Sequence, residues 1–94
     1  MAIKITQIKL SGGHGHEHIT HLWYVDQVNQ KPGDDSRAGI VAWIENDGGK
    51  AFVLDNYGNR ADVYVRTPTY GAKYLQTRAD GVWTDNLLAL PKHP

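Results

Sequence analysis

The sequence predicts a small α+β domain: an antiparallel sheet of five or six short strands with one helix packed on it, in the order β-β-α-β-β-β-β. Three observations carry that expectation. Runs of β-branched and aromatic residues with period-two alternation recur along the chain, clusters of Gly, Asn and Asp punctuate them, and one central stretch has helical spacing between cap-like residues.

The first strand is "IKITQIKL", residues 3 to 10, with Ile3 and Ile5 on one face and Ile8 and Leu10 on the other. The alternation slips between the two pairs, which implies either cover on both faces or a bulge. "SGGHG" then turns the chain. "EHITHLWYV", from Glu17 to Val25, returns as the other arm of a hairpin, with Ile19, His21, Trp23 and Val25 on one face and His18, Thr20, Leu22 and Tyr24 on the other. "DQVNQKPGDDS" is polar and reads as a loop whose last residues, Asp34, Asp35 and Ser36, suit a helix N-terminus. A helix over about Arg37 to Asn46 follows, because Ile40 and Ile44 are four apart and "NDGG" forms a stop.

"AFVLD" and "ADVYVR" make a second hairpin across "NYGNR". In the latter strand Val63 and Val65 face one way while Asp62, Tyr64 and Arg66 face the other, so one side of the sheet is wet and the helix covers the other. "AKYLQT" and "VWT" make a third hairpin across Asp80-Gly81. In the tail, Asp85 caps one turn carrying Leu87, Leu88 and Leu90, stopped by Pro91, which fastens the C-terminus to the core. Trp23, Trp43 and Trp83 fall on different elements, and at least two are expected in the core.

Ninety-four residues with 40% hydrophobic content predict a single domain over residues 1–94. Ten Lys and Arg balance ten Asp and Glu, which makes nucleic acid an unlikely partner on net charge. The chain has no cysteine, so disulfides, thiolate metal ligation and a thiol nucleophile are excluded. The N-terminus alternates polar and apolar residues, and no stretch approaches the roughly twenty apolar residues of a membrane span, so a cytoplasmic protein without a membrane partner is expected.

Three stretches, "KLSGGHGHEHIT", "IENDGGKAFVLD" and "KYLQTRADGVWTDNLLALP", resemble the small bacterial family known as domain of unknown function 3892. The resemblance spans most of the chain, and "TRADG" with "DNLLALP" is its most specific part. A cysteine often follows that ending in the family, whereas Lys92, His93 and Pro94 stand here. The resemblance implies a sheet-plus-helix domain of bacterial or phage origin. It implies no activity, cofactor or site residue.

Four of the five histidines lie within eight positions, in "HGHEHITH". His14, His16 and His18 alternate, so an extended backbone would point them to one side with successive Cα atoms roughly 6.5 Å apart, close enough to share a divalent metal such as zinc. Glu17 or Asp85 would complete the set, although Gly15 can break the shared face. The H-E-x-x-H spacing is absent. A second reading makes Ser11, Gly12, Gly13 and His14 an anion cradle of backbone N–H groups. Ser11, His14 and Asp85 are the residue types of a nucleophile, base and orienting group, but nothing in the sequence brings them together, so an enzyme is not expected.

Tyr57, Tyr64, Tyr70 and Tyr74, with Arg60, Arg66, Lys73 and Arg78, suggest an aromatic and basic face of the type that stacks unpaired bases. Asp55, Asp62, Asp80 and Asp85 are interleaved with them, which favours a short ligand or a protein edge. The main expectation is a non-catalytic interaction or ligand-binding module with Tyr64 and Arg66 at its contact face. The alternative is metal binding by His14, His16 and His18. An exposed edge strand also leaves room for a homodimer.

Overall fold

The computed structural model describes residues 2–93; Met1 and Pro94 lie outside the described residues. Its elements run β1 (Ala2–Leu10), a 3-10 turn (His16–His18), β2 (Ile19–Asp26), β3 (Pro32–Ser36), α1 (Arg37–Asp47), β4 (Lys50–Leu54), β5 (Arg60–Arg66), β6 (Tyr74–Ala79) and β7 (Val82–Thr84). All seven strands join one sheet in the order β3-β2-β1-β4-β5-β6-β7. The sheet is therefore larger than the predicted five or six strands. It is also mixed, because β1 and β4 pair in parallel over Ala2–Lys4 and Lys50–Phe52 while every other neighbouring pair is antiparallel.

Both departures have one cause. Residues 32–36 form β3 where the sequence suggests only a loop, pairing Pro32 to Ser36 with Val25 to His21. The strand lacks an apolar signature because it is an edge, held by its backbone and blunted by a proline and two aspartates. Asp26 shapes the turn before it: its Oδ1 accepts from the Val28 N–H at 2.8 Å, and its N–H donates to the Lys31 carbonyl at 2.9 Å. With β3 running parallel to β1, α1 carries the chain back to the starting end and delivers β4 alongside β1. That crossover creates the parallel pair.

The helix forms where the sequence places it. Ser36 Oγ accepts from the Gly39 N–H at 3.1 Å as N-cap, and Gly48 ends the helix in the left-handed conformation, φ 65°. Ile40 and Val41 are buried against the sheet, with Trp43 and Ile44 packed at the margin.

Bulges settle the slipped alternation. Ile5 pairs with Tyr24 and Gln7 with Trp23, so Thr6 is an extra residue, and Ile8 turns to the same face as Ile3 and Ile5. A second irregularity, where Lys9 pairs with His21 but Leu10 with Ile19, leaves Thr20 extra and puts Ile19 beside Leu22. His21 is half-buried next to Trp23, and both lie on the face opposite Ile19, not on the shared face that alternation predicts. The inner face joins Ile3, Ile5, Ile8, Leu22, Val53, Val63 and Leu75 with Leu87 of the tail. Of the tryptophans only Trp43 packs against this core.

The tail does more than bury its leucines. β4 accompanies only the first residues of β1, and residues 91–93 extend the sheet beside the remainder: the Ile8 N–H donates to the Pro91 carbonyl at 3.2 Å and the His93 N–H to the Ile8 carbonyl at 2.9 Å. The 3-10 turn between β1 and β2 packs against β6 across the inner side of the sheet. Among the described residues no helix is long and apolar enough to cross a membrane.

Candidate functional site

Alternation and register assign the outer face strand by strand. Lys4, Gln7 and Lys9 come from β1, His21 and Trp23 from β2, Lys50, Phe52 and Leu54 from β4, Arg60, Asp62, Tyr64 and Arg66 from β5, Tyr74, Gln76 and Arg78 from β6, and Trp83 from β7. Their charges are unbalanced. Lys4, Lys9, Lys50, Arg60, Arg66 and Arg78 stand against Asp62, Asp34 on β3 and, at the end of the face, Asp80.

The arginines and rings are organised. The Arg66 guanidinium lies 4.3 Å from the Trp83 ring centre and 6.0 Å from that of Tyr74, and it donates to Gln76 Oε1 at 2.9 Å. Arg78 also stands over the Trp83 ring at 5.4 Å, and Tyr64 meets Trp83 edge-on at 6.1 Å. Arg60 covers Phe52 at 4.2 Å while its Nε donates to Asp62 at 2.8 Å. Such contacts fix guanidinium planes against rings while leaving N–H edges for anions. Tyr64 and Trp83 remain 45% and 37% exposed, enough ring for a further flat group to meet.

Two adjoining hollows share Arg60, Asp62 and Tyr64. One, of about 420 Å³, reaches Arg78 and Asp80, and the other, of about 330 Å³, opens between β4 and β5 toward Lys50 and Ile44. Asp80 stands at the end of the face in the β6–β7 turn. Asp55 is spent on the β4–β5 turn, accepting from the Tyr57 and Asn59 N–H groups at 2.8 Å each. These bonds, that from Asn59 foremost, hold its carboxyl below the usual carboxylate range. Tyr57 and Tyr70 project from turns and do not join the face.

The predicted pair Tyr64 and Arg66 thus meets at Trp83. Trp83, Gln76 and the sheet partners of Arg78 were missed, although signals existed. Alternation in "YLQTRA" puts Tyr74, Gln76 and Arg78 on one side, and a two-residue Asp80-Gly81 turn sets Trp83 opposite Arg78. Lys4 and Phe52, brought together by the parallel pair, had no local signal.

The histidine stretch folds differently from an extended strand. His16–His18 is a 3-10 turn, with the His18 N–H donating to the Gly15 carbonyl at 2.9 Å. His14 is exposed, and His16 is buried with its Nε2 3.9 Å from Asp85 Oδ1. His18 lies over the glycine turn, where its Nδ1 accepts from the Gly15 N–H at 3.2 Å. A Cβ at Gly13 would stand 2.5 Å from the His18 ring, so only glycine allows this approach. The shared face assumed for His14, His16 and His18 is therefore replaced by separate settings. Among the described residues no group of three or more His, Asp or Glu is placed to hold a metal ion. Ser11 and Gly15 have their N–H groups engaged by His18, which leaves Gly12, Gly13 and His14 as the donors of any cradle.

Fold and site together define a one-helix α+β domain whose mixed sheet turns a cationic, aromatic face outward. The chain matches the family model described as "Protein of unknown function (DUF3892)" over residues 4–91, and it belongs to that family. No curated protein and no solved structure matches it significantly.

Proposed function

We propose that the chain is a small non-catalytic binding module that contacts its partner through the outer face of β5, β6 and β7, centred on Tyr64 and Arg66. The observation that carries this reading is the setting of Arg66, held by Trp83, Tyr74 and Gln76. A long side chain ordered in advance loses little further rotamer freedom on binding, so its free N–H edges serve an anion at reduced entropic cost. Beside it, the exposed parts of Tyr64 and Trp83 suit a flat group. The partner chemistry is thus an anionic group next to a planar one.

Amide and indole NMR shifts on adding phenyl phosphate, with inorganic phosphate as the control for charge alone, test this reading. Saturable shifts in roughly the millimolar range at Tyr64, Arg66, Gln76 and Trp83, lost in Arg66→Gln, are expected. Shifts that are absent from this face, or equal with inorganic phosphate, would overturn it.

A further inference from the structure

We propose that the outer face binds single-stranded nucleic acid, an assignment that rests on the binding-module reading and names its partner. The first ground is charge complementarity. Six cations share this face with Asp62 and Asp34, and with Asp80 at its end, and Arg60 with Asp62 is the one Lys or Arg ion pair on it among the described residues. Among the described residues Lys4, Lys9, Lys50, Arg66 and Arg78 form no ion pair, which leaves them to contact phosphates.

The second ground is the interleaving of rings with cations. Lys4 and Lys50 lie on the β1–β4 side and Arg78 on the β6 side, with Tyr64, Arg66 and Trp83 between or beside them. A strand crossing the sheet would set phosphates on the flanking cations and bases against the rings and the stacked guanidinium. An acidic peptide would use the cations and leave the rings idle.

The third ground is exposure. The face offers exposed rings, Tyr64 at 45% and Trp83 at 37%, that a duplex, with its bases already stacked on one another, cannot use. Unpaired bases can lie flat on them. Recognition would tolerate many sequences, since every base has a π-face and no built hydrogen-bonding pocket selects one.

Fluorescence anisotropy with a labelled oligothymidylate of about sixteen nucleotides, the upper site size of compact single-strand-binding folds, tests the proposal on the full chain. Binding is expected at about 50 mM salt, with a log–log salt slope of about −0.7 for each phosphate contacted. Tyr64→Ala and Trp83→Leu, each checked for native circular dichroism, should weaken binding roughly five- to a hundred-fold without changing the slope. Arg78→Gln should flatten the slope by about 0.7. The matching duplex should bind more weakly.

No binding of the oligonucleotide, while phenyl phosphate still shifts the face, would overturn the nucleic-acid assignment and leave the binding module standing. Loss of both responses would remove both. Equal binding of polyglutamate, insensitive to Tyr64→Ala, would overturn the assignment in favour of an acidic protein partner.

Discussion

The two faces of the sheet use neighbouring residues of the same strands for opposite purposes. Val63, Leu75 and Thr77 point inward and are buried, whereas Tyr64, Gln76 and Arg78, one residue further on in each case, point outward among cations and rings. The inner face is closed by α1, the 3-10 turn and the tail, while among the described residues no helix or strand packs over the outer face, where only His93 of the tail stacks on Trp23. The difference teaches that a chain of zero net charge can still present a strongly polarised surface, because net charge counts residues without regard to where the pleat sends them.

The largest expected effect contrasts adjacent positions. Leu75→Ala should cost about 2–5 kcal/mol, since its side chain is wholly buried and its removal leaves a cavity. Gln76→Ala should cost less than about 1 kcal/mol in stability, being a partly exposed outward position. Urea unfolding midpoints check both, and similar losses at the two sites would refute the division of the sheet into a load of core contacts and a free surface.

Thr77 is the polar exception inside. Its hydroxyl lies 2.6 Å from Thr84 Oγ1, 3.2 Å from the Thr84 carbonyl and 3.4 Å from the Leu87 N–H, tying β6, β7 and the tail together. Thr77→Val keeps the shape but strands these partners, and about 1–3 kcal/mol of destabilisation is expected in the same assay. A neutral result would mean that packing alone anchors the tail.

On the outer face, Arg60 covers Phe52, which is only 7% exposed although it lies outside the core cluster. Arg60→Ala should therefore uncover a ring as well as break the pair with Asp62, for a loss of roughly 0.5–1 kcal/mol. High salt should restore little of the difference if the ring contact dominates. Full convergence of wild type and variant at about 1 M salt would show that the ion pair carried it.

These contrasts also explain what was legible in the sequence. The helix was readable because Ser36 and Gly48 signal locally, and the β6–β7 hairpin because Asp80-Gly81 fixes its register. β3 was not, since an exposed edge strand needs no apolar pattern. The parallel pairing was not, since it depends on a crossover spanning β3 and α1. Tyr64 and Arg66 were found from alternation within one strand. The charge of the whole face was hidden, because Asp55, Asp80 and Asp85 interrupt the cations along the chain but sit in turns and the tail in space. The histidine loop misled in the opposite sense: spacing suggested one cluster, and a single 3-10 turn sent His16 inward and His18 onto its own glycines.

The smallest effect concerns His16, a titratable group buried on the inner side. Its Nε2 is inaccessible and has no hydrogen-bond partner among the described residues. Burial lowers its pKa below the ordinary 6.5, against the opposing pull of Asp85 and Glu17 and with a smaller push from Arg66 in the same direction. A lowered folded pKa means that the unfolded chain binds the proton more readily. Stability is then fully present above about pH 6.5 and is lost as pH falls from there through the folded value. His16→Gln should flatten this part of the pH dependence in urea midpoints measured between about pH 5 and 8, the range in which histidine titrates. Asp85→Asn should deepen the loss, because it removes the carboxylate that favours the charged imidazole. A variant profile at His16 that parallels wild type would show that the buried imidazole does not set the acid side of the inner face's stability.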